Sequence, residues 1–293
     1  MSDPRPCPHS GPAVAPSRLA EYRVFVHGLI DEAIVKEVQR RLVDVESTEG
    51  VRVLLAVESG SRAWGFPSKD SDYDVRFVYI HPPEWYLSVD ADLRRDVIER
   101  PILDEIDLSG WEIRKALLLF AKSNPPLLEW LTSPLIYRDT KTLAPRLRGL
   151  LPGYYASNAS LYHYLHMAQG NFKDYLRGDV VWVKKYFYVL RPLLAVRWIE
   201  QARGPVPMLF TDVLVTIADR PELVEEIETL RRRKMAGEEL DRGPAIPIIT
   251  DFVSSELARL EQLHPERKVQ YPGFEPLNTL FRTVLSETFD RSE

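Results

Sequence analysis

The chain has 293 residues, a net charge of −5 and 45% hydrophobic residues, enough to bury the core of one or two domains. Its single cysteine, Cys7, excludes an internal disulfide framework and a cysteine-based metal site. No apolar run approaches the roughly 18 residues of a membrane helix, and the mild acidity argues against broad electrostatic affinity for nucleic acid. We therefore expect a cytoplasmic protein with no membrane segment and no disulfide partner.

The start of the chain is rich in proline and lacks the apolar centre of a signal peptide. Residues 1–18 are therefore predicted to form a disordered tail. The first ordered element is predicted to be a helix over residues 19–45, because apolar side chains from Ile30 onward recur at four-residue spacing. This helix is expected to pack behind a sheet.

Two short apolar runs predict the first strands of that sheet. Residues 51–57 (VRVLLAV) lie between glycine-containing turns, and residues 75–80 (VRFVYI) end before two prolines. Asp72 and Asp74 lead into the second strand, and alternate strand residues point to the same face. Two carboxylates on one face suit a hard divalent cation such as Mg²⁺, although a solvated turn is the ordinary explanation of an Asp-x-Asp pair.

The turn between these strands contains Gly60, Ser61 and Arg62. Backbone N–H groups around a glycine turn form an anion-binding nest, and the Ser61 hydroxyl adds a donor. Arg62 supplies positive charge for a phosphate, but it is equally suited to the surface or to a pair with Asp70. A glycine that follows a strand is also common in a plain tight turn.

A third carboxylate is expected in a strand over residues 102–108. On that strand Glu105 and Asp107 share one face, and Asp107 lies between two apolar residues. We predict Asp107 as the third site residue and Glu105 as the alternative. A solvated charge at the sheet edge is the simpler explanation of Glu105. Gly110 and Trp111 are predicted to end this strand before a helix.

The remaining segments are predicted to be helical. Helices are expected over residues 111–122, from residue 127, and over residues 154–176, 180–201 with a break near Pro192, 221–240, 250–263 and 271–289, with a connection within residues 207–214. Strands mix with helices only up to residue 138. The predicted fold class is therefore α+β, with a mixed domain over residues 19–138 and an all-helical domain over residues 139–293.

The helical half supplies a candidate cationic surface. Lys184, Tyr188 and Arg191 share a helix face at spacings of four and seven residues. Such a face opposite the carboxylates could bind triphosphate oxygens. A solvated stripe, with an intrahelical ion pair to Asp179, explains the same pattern.

Several strings resemble the DNA polymerase beta-type nucleotidyltransferase superfamily. The chain contains Gly60-Ser61, Asp72-x-Asp74 and a later lone acid at Asp107. This arrangement is similar to the signature of that superfamily. The longer strings GSRAWGF, DSDYDVRF, GWEIRKAL and KSNPPLLEWL resemble a narrower group, the predicted RNA-repair-pathway nucleotidyltransferases of bacteria and phages. The resemblance covers most of residues 51–137 and continues more loosely over residues 184–194.

The resemblance implies a palm-like mixed sheet and a two-metal site. Asp72 and Asp74 would hold two divalent ions, Mg²⁺ or Mn²⁺, and Asp107 would complete the site and help to activate the attacking hydroxyl. Gly60 and Ser61 would hold the triphosphate of a nucleoside triphosphate. The hydroxyl would attack the α-phosphate in line, and pyrophosphate would leave.

Other functions stay open at this point. A non-catalytic nucleotide sensor on the same fold would be expected to lose a carboxylate, and all three candidates are present. A metal-dependent phosphohydrolase would need further His or Asp ligands. The acceptor is also undetermined: an RNA end, a protein hydroxyl or a small molecule all fit, and an RNA end would call for a basic groove with stacking aromatic residues.

Overall fold

The computed structural model describes residues 30–262 and 272–290. The predicted tail and the start of the predicted first helix lie outside those residues. The strands are β1 (Arg52–Glu58), β2 (Tyr73–Ile80), β3 (Val97–Glu99), β4 (Ile106–Glu112), β5 (Ile136–Asp139), β6 (Val180–Trp182) and β7 (Arg242–Pro244). The helices are α1 (Glu32–Glu49), α2 (Gly60–Ala63), α3 (Pro83–Tyr86), α4 (Ile113–Ala121), α5 (Pro125–Thr132), α6 (Ala144–Tyr154), α7 (Ser157–Tyr175), α8 (Tyr186–Glu200), α9 (Phe210–Leu214), α10 (Pro221–Met235), α11 (Pro247–Glu261) and α12 (Glu275–Phe289).

A five-stranded mixed sheet forms the first half of the chain, in the order β3-β4-β2-β1-β5. Strands β2 and β4 are parallel, and the other neighbouring pairs are antiparallel. In the parallel pair Asp74 lies directly opposite Asp107. The α+β class predicted from the sequence is confirmed.

Strand alternation sends the two faces of β2 into different cores. Val75 and Phe77 pack with Val38 and Leu42 of α1 on one face. Val78 and Ile80 pack on the other face, in a cluster formed with helices α4, α5, α6 and α12. Asp74 belongs to this second face, but it lies at the partly buried start of the strand. The start of β2 thus carries a carboxylate that is buried in neither core.

The third strand of the predicted site is displaced along the sequence. It was expected over residues 102–108, ending before Gly110, but β4 covers Ile106–Glu112 and passes through Gly110. Asp104 and Glu105 precede it in the left-handed region, with φ of 50° and 64°. Glu105 therefore lies in a turn and shares no strand face with Asp107, so that part of the prediction is wrong.

The helical half is not entirely helical, contrary to prediction. Strands β6 and β7 form a two-stranded antiparallel ribbon, and β6 occupies the start of the segment predicted as helix 180–201. Gly178, at φ +91°, separates this segment from α7. The two valines and the tryptophan of β6 favour a strand. The partner strand follows about sixty residues later, so a local pattern could not reveal the pairing.

Helix α8 continues through Pro192, where a break was predicted. A proline inside a helix removes one backbone donor and leaves the carbonyl four residues earlier without its helical partner. Here that carbonyl belongs to Tyr188, and the side-chain Nδ2 of Asn171 on α7 donates to it at 3.1 Å. A neighbouring helix therefore satisfies the group that the proline leaves unpaired.

The predicted division at residue 138 stays a prediction. Leu147 of α6 and Leu280 of α12 lie in the same buried cluster as Ile80 of β2, so elements from both sides of residue 138 share this core. Among the described residues, no helix has both the length and the apolar character needed to cross a bilayer.

Gly110 allows the close packing of β4 on β2. A Cβ placed there would lie 2.2 Å from the Phe77 ring. We expect Gly110→Ala to lower the free energy of unfolding by at least about 1–3 kcal/mol through overpacking, as measured by urea denaturation. The control is Gly149→Ala in α6, where an added Cβ meets nothing within 4 Å and helix propensity predicts a gain of about 0.5–1 kcal/mol. Equal stability of the two variants would contradict this account of the sheet.

Candidate active site

The turn after β1 packs directly on an acidic side chain. Gly60 has φ +60°, and a Cβ added there would lie 2.0 Å from Oδ2 of Asp74. The Ser59 N–H also donates to the Asp74 carbonyl at 2.9 Å. Glycine is required here both for its backbone conformation and for the space that the carboxylate occupies.

Ser61 and Arg62 connect this turn to the loop that leads into β2. The Ser61 hydroxyl donates to Oγ of Ser71 at 3.2 Å. Arg62 donates from Nη2 to the Ser71 carbonyl at 2.6 Å and from Nε to the Asp72 carbonyl at 3.2 Å. Its guanidinium lies 3.8 Å from the centre of the Tyr73 ring. Both side chains thus have partners within the protein, and their predicted triphosphate contacts stay predictions.

Two of the three predicted carboxylates come together. Arg76 donates from Nη2 to Oδ1 of Asp74 at 3.0 Å and to Oδ2 of Asp107 at 2.6 Å. All three side chains are partly buried, at 20%, 30% and 28% exposure respectively. Asp72 is exposed and lies at the entrance to β2. The structure therefore forms an Asp74–Arg76–Asp107 cluster with Asp72 beside it in sequence.

The donor atoms fit a divalent cation in their chemistry. Within residues 30–262 and 272–290, no three Asp, Glu, His or Cys side chains are already grouped as a metal site. Asp74 and Asp107 nevertheless direct carboxylate oxygens at one point, which the Arg76 guanidinium occupies. Carboxylate oxygens are the ligands that Mg²⁺ prefers. A metal at this point would need the guanidinium to move.

The pKa of Asp74 reflects these opposing influences. Burial raises the pKa of its carboxyl, Arg76 acts to lower it, and the charges of Asp107 and Asp72 raise it again. Bringing the carboxylates together therefore has an electrostatic cost that a cation offsets.

Glu58, the last residue of β1, is a site residue that the sequence analysis did not identify. Its side chain is fully buried; Oε1 accepts from the Asp74 N–H at 2.9 Å, and Oε2 accepts from the Tyr137 hydroxyl at 2.5 Å. Burial raises the pKa of the Glu58 carboxyl to about 7, against these two hydrogen bonds. The available signal was an acid at the end of an apolar strand, immediately before the glycine turn.

The predicted cationic helix face is not formed. Lys184 lies in a 3₁₀ turn before α8 and pairs with Asp241 at 3.1 Å, not with Asp179. Arg191 is buried and donates from Nη1 to Oε1 of Glu129 at 2.7 Å. The prediction that Lys184, Tyr188 and Arg191 share one helix face is therefore wrong, because Lys184 precedes the helix. The contacts of Arg191 support a structural role between α5 and α8, and its contact with phosphate stays a prediction without geometric support.

Tyr188 links the helical half to the carboxylates. Burial raises the pKa of its phenol first, and the charges of Asp74 and Asp72 raise it further, so the hydroxyl lies within their electrostatic reach. The ring meets Trp64 edge to face at 5.8 Å, and Nζ of Lys185 lies 4.2 Å from its centre. Lys185 is thus a cation beside the Tyr188 ring that the predicted helix face did not include.

Lys234 is a second cation to which the sequence analysis assigned no role. It is buried at the end of α10 and donates from Nζ to the carbonyl of Phe66 at 2.9 Å. Burial lowers its pKa to about 8, while Asp70 raises it and Arg62 and Lys184 lower it. Helix α10 thereby packs its C-terminal end against the segment that follows the glycine turn.

Comparison with known proteins identifies the family. The model of RlaP, the RNA repair pathway DNA polymerase beta family, matches residues 34–283. The chain belongs to this family. The match confirms the resemblance drawn from the sequence strings, and the RlaP family is of the nucleotidyltransferase type.

Two individual proteins are similar to this RlaP family member. A Bacillus subtilis (strain 168) protein named "Uncharacterized protein YcgL" is 48% identical over 259 residues, which cover 88% of this chain and 97% of YcgL. The crystal structure of a nucleotidyltransferase-like protein from Exiguobacterium sibiricum 255-15 shares 14% identity, covers 87% of this chain and 91% of its own, and gives a TM-score of 0.31. That score is too low to carry an argument about fold or chemistry.

We expect Gly60→Ala to cost more stability than Gly50→Ala. Both glycines have left-handed φ, at +60° and +64°, but an added Cβ meets Asp74 only at Gly60 and nothing within 4 Å at Gly50. Both variants carry the backbone cost of about 1–2 kcal/mol, and Gly60→Ala adds about 1–3 kcal/mol from the clash. Urea denaturation measures the difference. Equal losses would show that Asp74 does not pack on the turn.

We expect Glu58 to make stability depend on pH. Its pKa is raised from 4.5 to about 7 in the folded protein, so the folded state holds a proton that the unfolded state releases. The resulting stabilisation is complete below the pKa that Glu58 has in the unfolded chain, and it is lost as the pH rises through the pKa of the folded protein. Each unit of pKa shift corresponds to about 1.4 kcal/mol. The free energy of unfolding of the wild type should therefore fall relative to Glu58→Gln between about pH 5 and pH 8. A constant difference across this range would mean that the Glu58 pKa is not raised.

Proposed function

We propose that this RlaP family protein is a metal-dependent nucleotidyltransferase that transfers a nucleoside monophosphate from an NTP to a hydroxyl acceptor. One observation carries the proposal: Asp74 and Asp107 lie in register on parallel strands and direct their oxygens at a common point. The glycine turn packs against the first of them. Family membership supports the reaction class.

The carboxylates have separate roles in this proposal. Asp74, Asp107 and Asp72 would hold Mg²⁺ or Mn²⁺, which would neutralise phosphate charge and polarise the phosphoryl oxygens. Asp107 also orients the attacking hydroxyl and accepts its proton. A new bond forms between the acceptor oxygen and the α-phosphorus, the bond from that phosphorus to the bridging oxygen breaks, and pyrophosphate leaves. Glu58 fixes the backbone of Asp74 through the hydrogen bond to its N–H.

The triphosphate side is proposed to combine the glycine turn with nearby cations. Gly60 and Ser61 bind phosphate oxygens through N–H and hydroxyl donors, and Arg62 and Lys184 supply charge. Besides burial, Arg62 and Lys184 each lower the pKa of Lys234, whose Nζ donates to the Phe66 carbonyl just after the glycine turn. Arg191 is proposed to act indirectly, because its ion pair with Glu129 joins helix α8 to helix α5.

An RNA end is the acceptor that we propose first. The support is the family description, which refers to an RNA repair pathway, together with the aromatic and cationic residues Trp64, Tyr188 and Lys185 near the carboxylates. Aromatic rings and cations are the groups that bind single-stranded nucleic acid. A protein hydroxyl or a small molecule would give a different labelled product in the same assay.

A nucleotide-binding sensor is the second candidate. Arg76 offsets one of the two negative charges of Asp74 and Asp107 through direct hydrogen bonds, so a side chain alone already compensates part of the charge of the cluster. A sensor would bind an NTP at the glycine turn without releasing pyrophosphate. Measuring NTP binding and pyrophosphate release on the same preparation distinguishes the two functions.

We expect Asp107→Asn to reduce nucleotide transfer by at least about 100-fold, because it removes charge from the reacting centre. The assay incubates the protein with each α-labelled NTP, Mg²⁺ or Mn²⁺ and a cell extract, and follows which molecule gains label. The matched control is Asp104→Asn, whose side chain is 88% exposed in the preceding turn and pairs with Arg41. Transfer by Asp107→Asn at the wild-type rate would reject the proposed role, and NTP binding without pyrophosphate release by the wild type would favour the sensor.

A further inference from the structure

Arg76 occupies an unusual position relative to the carboxylates that it contacts. It follows Asp74 by two residues on β2, so both side chains project from the same face of the sheet. Its hydrogen bonds go to Asp74, to the side chain and carbonyl of Asp107, and to the carbonyl of Val75. Each of these partners lies on β2 or β4, so the guanidinium serves the carboxylate cluster itself and does not tie it to another element.

Electrostatics explains why a cation is needed at this place. Like charges directly opposite each other on neighbouring strands are destabilising. Asp74 and Asp107 are directly opposite, and with 30% and 28% side-chain exposure they are only partly screened by water. In the absence of a metal, Arg76 supplies the missing positive charge.

The contacts also indicate that the cation can leave without loss of the site. Toward the carboxylates a single nitrogen, Nη2, bridges one oxygen of each, instead of a bidentate fork holding either one. The other nitrogen, Nη1, donates to the backbone carbonyls of Val75 and Asp107 at 3.2 and 3.0 Å. Asp74 is held independently by Glu58 at its N–H and by the packing of Gly60. Asp107 is held by its register on β4.

We infer that Arg76 is a displaceable counter-ion: its guanidinium holds the metal position between Asp74 and Asp107, and a divalent ion binds only by displacing it. This inference rests on the proposed metal-dependent function. Arg76 then sets the metal affinity of the site, since every metal-binding event must break the bonds at 3.0 Å and 2.6 Å to the two carboxylates. Removing the guanidinium exposes two uncompensated carboxylates and strengthens metal binding.

The test measures binding of Mn²⁺ to the full-length protein without nucleotide, by electron paramagnetic resonance of the free ion. Arg76→Gln should bind Mn²⁺ at least about 10-fold more tightly than the wild type, because the competing charge is gone. The double variant with Asp107→Asn should lose that gain. As a second readout, Mn²⁺ should raise the melting temperature of Arg76→Gln more than that of the wild type, since a ligand stabilises the state that it binds.

Arg138→Gln is the matched control. Arg138 lies on β5 of the same sheet, has the same 20% side-chain exposure as Arg76, and pairs with Glu46 at 3.0 Å. Its loss removes a comparable ion pair that does not involve Asp74 or Asp107. This variant should bind Mn²⁺ as the wild type does.

The outcomes separate the two proposals. Equal Mn²⁺ affinity in the wild type and Arg76→Gln, abolished in both by Asp107→Asn, overturns the role of Arg76 and leaves the metal site standing. Absence of any Asp107-dependent Mn²⁺ binding in all variants overturns the proposed function and the inference together. If circular dichroism shows that Arg76→Gln is unfolded, Arg76→Met takes its place. It removes the charge and keeps an unbranched side chain, so it should bind Mn²⁺ more tightly than the wild type, and unchanged affinity overturns the inference.

Discussion

The parallel pairing of β2 with β4 is the constraint on which the candidate site depends. Its register brings Asp74 opposite Asp107, although the two residues are far apart in sequence and their like charges oppose the pairing. A parallel pair requires a crossover connection, and here the chain passes through α3 and β3 before it returns as β4. The sheet stabilises this register through its two apolar cores, so hydrophobic packing holds together charges that would otherwise separate.

The surroundings of Asp74 show how a strand end becomes a rigid site. Glu58 binds its backbone N–H, the Gly60 turn contacts its carboxylate, and Arg76 neutralises its charge. Each contact comes from a different constraint: a buried acid, a left-handed glycine and a cation from the same strand face. Tyr188, from the helical half, contacts Trp64 after the Gly60 turn and is influenced by the charges of Asp74 and Asp72, so residues of both halves of the chain surround the carboxylates.

Local patterns in the sequence were sufficient for the parts of the fold that depend on local physics. The apolar run after Asp74 predicted β2, and the four-residue spacing found α1; β2 begins at Tyr73, so the common face of Asp72 and Asp74 stays a prediction. The left-handed backbone at Glu105 makes β4 begin later in the chain than predicted. An alternating strand pattern does not indicate such a turn. The burial of Arg191 against Glu129 depends on a contact between distant helices, which single-sequence periodicity cannot report.

The hydrogen bond from Asn171 to the Tyr188 carbonyl has a consequence for how helix α8 tolerates change. The residue that needs this bond, Pro192, lies four positions further along the same helix, and the donor lies on another helix. The backbone of an aromatic residue whose phenol is influenced by Asp74 and Asp72 is thus held by an amide on α7. Loss of the amide at position 171 would leave the Tyr188 carbonyl without the donor that replaces the N–H missing from Pro192. A substitution on α7 would then loosen the first turn of α8 although it changes no residue of the carboxylate cluster.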